Sequence, residues 1–379
     1  MSEQLFDQAE EDFLENEGNS SEQEQSDARI LVLRDYCIRQ NGSDCTRCAM
    51  ACPHEAISYE ENGLPNINPE LCTHCGICFG ICDAFSSNKV TLLDLNSRVR
   101  RIALRGDAVY FTCRENVFPG LDPASNVIIL PCLACLPPEF WTLMLAEGVS
   151  VNIACDFAYC TECQRAGEIA ETLYSHAIKS AERWTRKKVV FSEVIPEKED
   201  ILKDLSAPEG VDRRGAFDNL VGDISDIVSG KRRLRNSEVL QQFIERRERS
   251  KAIAQLRLSD IEEINTFAPL GRMKKTLFPK RRMLIEALQA DKAIGARIPL
   301  YIAKLKGENL PFIQNDHYSC PTGALSPDST SGNITIEERY CIGCELCSLI
   351  YPESEIEIAK TTAAVLIIDE PDKNESIES

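Results

Sequence analysis

No stretch of this 379-residue sequence approaches the roughly 18–20 uninterrupted apolar residues of a membrane-spanning helix, so no transmembrane segment is expected. Residues 1–28 contain no lysine or arginine, and without a basic start and an apolar run no secretory leader is expected there. Aromatic residues are scarce, at 7%, yet 43% apolar residues leave material for two or three ordinary domain cores. No glycine-rich dinucleotide fingerprint, phosphate loop, general acid/base pair or nucleophilic triad stands out, which leaves little support for catalysis within the chain. What is abundant is cysteine, with 18 residues. In a reducing cytoplasm thiols stay available as metal ligands, so a disulfide framework is the least expected use of so many.

The net charge of −18 is concentrated at the ends. Residues 1–28 carry ten Asp or Glu, and residues 369–379 carry five against one Lys. Both are read as solvated acidic tails, too polar to bury enough surface to offset ordering entropy. Between them the chain is nearly neutral, apart from a basic excess over Lys231–Arg257, with nine Lys or Arg and three Glu. In an acidic chain this reads as a solvated helical face rather than a nucleic-acid site, and no nucleic acid is expected as a partner.

The most informative run is Cys72, Cys75, Cys78 and Cys82, a C-x2-C-x2-C-x3-C string. Such spacing lets three thiolates from one loop and the start of a helix reach three corners of an iron–sulfur cubane, while the fourth serves a neighbouring cluster. Structural zinc sites instead pair two separated C-x2-C knuckles, which would leave a third cysteine surplus. An altered copy precedes it as Cys37, Cys45, Cys48 and Cys52, followed by Pro53, with a widened first gap. Ala56–Tyr59 reads as a strand, Asn62–Gly63 as a turn and Val90–Leu93 as a closing strand. His54 and His74 adjoin these cysteines but read as loop residues.

Two such strings in tandem resemble two-cluster bacterial ferredoxins. The resemblance implies a βαββαβ unit over residues 29–95 holding two 4Fe-4S clusters. Carried over by position, it assigns Cys37, Cys45, Cys48 and Cys82 to the first cluster and Cys72, Cys75, Cys78 and Cys52 to the second. Asp83 departs from the family, which has proline there.

Near the other end, over residues 311–368, Cys320-Pro321 closes one such string and Cys341, Cys344 and Cys347 open another, with Asn333–Ile336 as a strand between them. Tyr351 stands where the last cysteine belongs. Under the same exchanged-ligand pattern the two losses fall on one cluster, so the resemblance implies a single 4Fe-4S site held by Cys320, Cys341, Cys344 and Cys347.

Residues 105–185 change character to short apolar strands alternating with helices. Ala108–Thr112, Val127–Leu130 and Val151–Ala154 read as strands ending at or beside Cys113, Cys132 and Cys155. In a parallel sheet these thiols would meet at the carboxyl edge. Pro137–Glu147 reads as a crossover helix. A second helix, about Gln164–Trp184, would put Ile169, Leu173, Ala177 and Ala181 on its buried face. Cys135, Cys160 and Cys163 lie near the same edge. This order of strand-end cysteines, Pro-Pro-Glu and Cys155-x4-Cys160 resembles the iron–sulfur delta subunit of methyl-viologen-reducing hydrogenases. The resemblance implies a site of Cys113, Cys132, Cys155 and Cys160. Its occupant stays open between a 2Fe-2S or 4Fe-4S cluster, zinc, a redox-active dithiol and metal-free cysteine.

Residues 186–310 contain no cysteine and read as a helical connector, with amphipathic segments at Ser237–Arg257 and Arg281–Leu288, the latter as an arm for the last domain. The fold class expected is therefore a multidomain α+β and α/β chain, with ferredoxin-like units at both ends and a small parallel sheet between. The expected function is a cytoplasmic electron relay, a subunit of a larger oxidoreductase complex with redox proteins as partners. A redox-responsive regulatory protein is the alternative.

Overall fold

The structure is a computed structural model that describes residues 30–198 and 275–367, except 88–89, 161, 308, 316 and 329. All of these but 197, 198, 275 and 276 belong to one compact unit. The segment Ser237–Arg257 and both acidic tails lie outside the described residues.

The described residues open with strand β1 (Ile30–Val32), helix α1 (Arg47–Met50), strands β2 (Ile57–Tyr59) and β3 (Pro65–Ile67), helix α2 (Ile77–Ile81) and strand β4 (Phe85–Ser87). The outer strands pair antiparallel, Ile30 opposite Ser87, and the inner pair is antiparallel too, Ile57 opposite Ile67. Gly63, at φ +82°, takes the left-handed conformation that closes the β2–β3 turn. Residues 90–93 do not form the expected closing strand. The Thr91 hydroxyl accepts from the Asp94 amide while the Asp94 carboxylate accepts from the Thr91 amide, a capping box that starts helix α3 (Leu92–Leu104). Leu95, Val99 and Ile102 then recur at helical spacing and are buried.

Strands β5 (Val109–Cys113), β6 (Val127–Leu130), β7 (Val151–Ala154) and β8 (Val190–Ser192) form a parallel sheet in the order β6-β5-β7-β8. The two central strands, β5 and β7, are buried or nearly so on both faces, as suits a parallel sheet, while the outer two expose side chains. Helix α4 (Pro138–Ala146), with proline in its first turn, crosses between β6 and β7 and seats Trp141 edge-on against Phe111 at 5.1 Å between ring centres. Strand β8 escaped the sequence reading because it is a three-residue edge strand with largely exposed side chains. Helix α5 (Ile169–Thr185) starts later than expected, after Gly167 at φ +61°, and its buried face is Ala170, Tyr174, Ala177, Ile178 and Ala181. Ile169 and Leu173 are only partly buried, so the face is rotated by about one residue from the one expected.

The stretch read as a connector contributes to both neighbours. Helix α6 (Pro279–Ala290) packs on α4, burying Met283, Leu284, Ala287 and Leu288 in the core of the parallel sheet. Strand β9 (Pro299–Leu305) pairs antiparallel along its whole length with β12 (Ile356–Thr362), and between them β10 (Leu325–Pro327) pairs with β11 (Ile334–Ile336). The last part of the chain thus repeats the outer-pair and inner-pair plan of the first.

Tyr351 is 1% exposed and packs with Ile302, Leu325, Ile334 and Ile356. Its hydroxyl accepts from the Ile313 amide at 2.7 Å. Where the cysteine pattern would call for a thiol, an aromatic ring fills core. Tyr351→Phe is expected to leave that amide without its partner at a cost of about 1–3 kcal/mol. Chemical denaturation would register the loss, with metal content unchanged.

Candidate metal centres

The first expected set gathers around one end of α2. Cys37, Cys45 and Cys48 stand close enough for their charges to act on one another, and Cys48 also acts on Cys82, the residue that ends α2. Burial pushes the thiols of Cys37 and Cys48 up, and that of Cys82 up to about 11. The Ala84 amide donates to the Cys82 sulfur at 3.4 Å. The long gap between Cys37 and Cys45 folds into a 3-10 turn ending at Gly42, φ +91°. A Cβ there would overlap the carbonyl of His317 and the Tyr318 ring.

The second set lines a cavity of about 370 Å³ walled by Cys52, Cys72, Cys75 and Cys78, together with Ile57, Ile67 and Ile77. Desolvation by burial raises Cys72, Cys75 and Cys78. The Ala56 amide donates to the Cys52 sulfur at 3.4 Å. Asp83, in the place of the family's proline, accepts from the Lys280 amide at 2.9 Å and so caps the start of α6. His54 lines the same cavity, and its Nε2 donates to the carbonyl of Arg165 at 3.1 Å.

The set near the C-terminal end lines a cavity of about 450 Å³ with Cys320, Cys341, Cys344 and Cys347. The amides of Ala303 and Leu325 donate to the sulfurs of Cys341 and Cys320 at 3.3 and 3.5 Å. Burial pushes Cys344 up to about 12 and Cys347 up to about 11.

At the carboxyl edge of the parallel sheet, Cys113, Cys132, Cys155 and Cys160 share a cavity of about 420 Å³ with Cys163, Asn116 and Tyr174. Cys113 is held low by its contact with the Cys155 thiol and by Asn116, whose Nδ2 donates to the Cys113 sulfur at 2.8 Å. Cys155 is raised in turn by Cys113. Desolvation pushes Cys132 up to about 12. Cys163, read from the sequence as near this edge, is thus a fifth thiol in the cavity. Nothing in the sequence pointed to Asn116 or Tyr174. Cys135, read from sequence as near this edge, does not line the cavity; a Cβ on Gly76 would meet its Cβ at 3.0 Å, which places it under the loop of the second set.

These four groups are consecutive neighbours. Cys78 of the second set packs in one core with Cys37 and Cys48 of the first. Cys75 of the second acts on Cys132 of the sheet. The Arg165 backbone oxygen and side chain both bond Thr73, at 2.5 and 2.8 Å, and so tie the second set's loop to the segment between Cys163 and α5. At the other end Asn41 donates to the Ser319 hydroxyl at 2.7 Å, which joins the widened Cys37–Cys45 loop to the residue before Cys320. Among the described residues no three His, Cys, Asp or Glu side chains are disposed to hold a single metal ion; the second, C-terminal and sheet sets each line a cavity, whereas the thiols of the first set line none of the three. Among the described residues, no helix is long and apolar enough to cross a membrane.

No family model matches the chain, and no solved structure does. A stretch of 53 residues is 34% identical to an uncharacterized ferredoxin of Methanocaldococcus jannaschii, covering 14% of this chain and 84% of that protein. A stretch of 35 residues is 49% identical to one component of the Na(+)-translocating ferredoxin:NAD(+) oxidoreductase complex of Acetobacterium woodii. It covers 9% of this chain and a tenth of that component.

Proposed function

We propose, from the premise that this chain belongs to the ferredoxin family, that it is a single-electron relay, with its stations in the order C-terminal set, first set, second set and parallel-sheet set. The observation that carries the reading is that four groups of cysteines follow one another as neighbours: Cys78 shares a core with Cys37 and Cys48, Cys75 acts on Cys132, and the Asn41–Ser319 bond joins the loops of the first and C-terminal sets. Cys37, Cys45, Cys48 and Cys82, then Cys52, Cys72, Cys75 and Cys78, and then Cys320, Cys341, Cys344 and Cys347 would each hold a 4Fe-4S cluster. Cys113, Cys132, Cys155 and Cys160, with Cys163 beside them, would hold a fourth iron–sulfur group.

The donor chemistry supports this fit. Thiols that burial holds in their neutral form need a metal's positive charge to persist as thiolates at neutral pH. Backbone amides aimed at Cys52, Cys82, Cys320 and Cys341 are the hydrogen bonds to sulfur through which a protein sets cluster potential. Such a group supplies a one-electron couple that changes oxidation state without breaking bonds. The Thr73–Arg165 and Asn41–Ser319 bonds hold the loops of neighbouring sites together.

The parallel-sheet set is the partner-facing station. Tyr159, 58% exposed, lines its cavity, and Phe118, five residues beyond Cys113, is 62% exposed. The partners that fit are redox proteins, with the chain as one subunit of an oxidoreductase complex, as the Acetobacterium woodii protein is of its own. Anaerobic purification followed by iron and sulfide analysis tests the reading. About 12 irons are expected for the three cubane sites, with any excess at the sheet. Colourless protein, or protein carrying zinc, would overturn it.

A further inference from the structure

The first turn of α6 carries three consecutive cations, Lys280, Arg281 and Arg282, and the first two go to different places. Lys280 turns toward the first set. Its backbone amide donates to Asp83, its Nζ donates to the Gly80 carbonyl at 3.0 Å, and its charge acts on Cys82. Arg281 turns toward the C-terminal set, and its Nη2 donates to the Cys341 carbonyl at 2.5 Å. The residue is 8% exposed, and its Nη1 is buried without a hydrogen-bond partner.

A guanidinium keeps its charge in any protein environment, and burying it is costly unless an opposite charge answers it. The carboxylates that face Arg281 are Glu139 and Asp83. One Glu139 oxygen is itself buried without a hydrogen-bond partner. Neither forms the close pair that would neutralise a buried guanidinium. The strongest anion available to Arg281 is therefore the thiolate-bound group that Cys341 would hold. A fixed positive charge stabilises the more reduced, more negative state of such a group, and it does so strongly where the dielectric is low.

We propose that Lys280 and Arg281 are redox-tuning residues that act on different stations, Lys280 raising the reduction potential of the Cys82 site and Arg281 that of the Cys341 site. This rests on the reading of both sites as iron–sulfur centres. The side chains accept and give up no electron. They bias the one-electron equilibrium at a neighbouring site, and the consequence is a relay that is not level, since the C-terminal and first stations hold an electron more readily than they would without the pair.

The test is an EPR-monitored potentiometric titration of the full chain with a one-electron chemical reductant, with the C-terminal signal identified as the one missing from Cys344→Ala. Arg281→Gln should lower that signal's potential alone, by at least a tenfold change in its reduced-to-oxidised ratio, about 59 mV for a one-electron couple. Arg281→Lys, which keeps the charge, should restore most of the shift, whereas a merely structural arginine would not be rescued in potential by lysine. Lys280→Gln should lower the signal of the first site and leave the C-terminal one in place. Should Arg281→Gln fail to fold, Lys280→Gln still decides, because Lys280 bonds at the surface of α2 rather than in the core. Unmoved potentials, or equal shifts at every site, would overturn the inference while leaving the iron content intact. Wild-type protein without iron would instead overturn the reading beneath it.

Discussion

Cys344→Ala is expected to remove about four irons and one EPR signal per chain while the other sites stay loaded. Cys344 lies on the loop between β11 and β12, it walls the C-terminal cavity with three other thiols, and no residue of the first or second set lines that cavity. A cubane with one corner unheld loses an iron or fails to assemble, and the aliphatic packing of Ile302, Ile334 and Ile356 around Tyr351 is left to hold the strands together. Cys135→Ala is the matched control. It removes a more deeply buried thiol that walls none of these three cavities, so the iron count should not change. Iron and sulfide analysis of the two variants side by side checks the assignment; equal iron loss from both would break it.

Gly80→Ala should cost about 3 kcal/mol, the upper end of the roughly 1–3 kcal/mol typical of overpacking. In an isolated helix the same change would be favourable by up to about 1 kcal/mol, because glycine is the poorer helix former. Here the sign reverses, since a Cβ on Gly80 would overlap the carbonyl oxygen of Ala134, a backbone atom that cannot rotate away. That contact seats α2, which carries Cys78 and ends at Cys82, against the turn that follows Cys132. Pushing them apart should lower the denaturation midpoint and also weaken the magnetic interaction between the second and parallel-sheet sites. A variant as stable as the parent, with its spin coupling intact, would show that the two units are not held at this point.

Much of the grouping of the thiols was legible in the sequence because spacing along a loop is a local property. Cys72, Cys75 and Cys78 lie on one loop and helix start whatever the rest of the chain does, and the strand-end positions of Cys113, Cys132 and Cys155 follow from short apolar runs. Errors arose where two local signals compete. Val90–Leu93 has the composition of a strand, but the reciprocal bonds of Thr91 and Asp94 start a helix there. The rotated face of α5 and the missed strand β8 are of the same kind, since a turn at Gly167 and three exposed edge residues leave little periodicity to read.

The sequence by itself determined which thiols belong to a common loop and that tyrosine replaces the last of them near the C-terminal end. Only the tertiary structure decided that Cys163 stays at the sheet-edge cavity while Cys135 lies under a different loop, and that Lys280 and Arg281 turn to the carbonyls of Gly80 and Cys341. The physical reason is range. Spacing along a loop is imposed by backbone geometry within a few residues. The meeting of Asn41 with Ser319, or of Arg281 with Cys341, depends on how whole elements pack, and no local pattern encodes that.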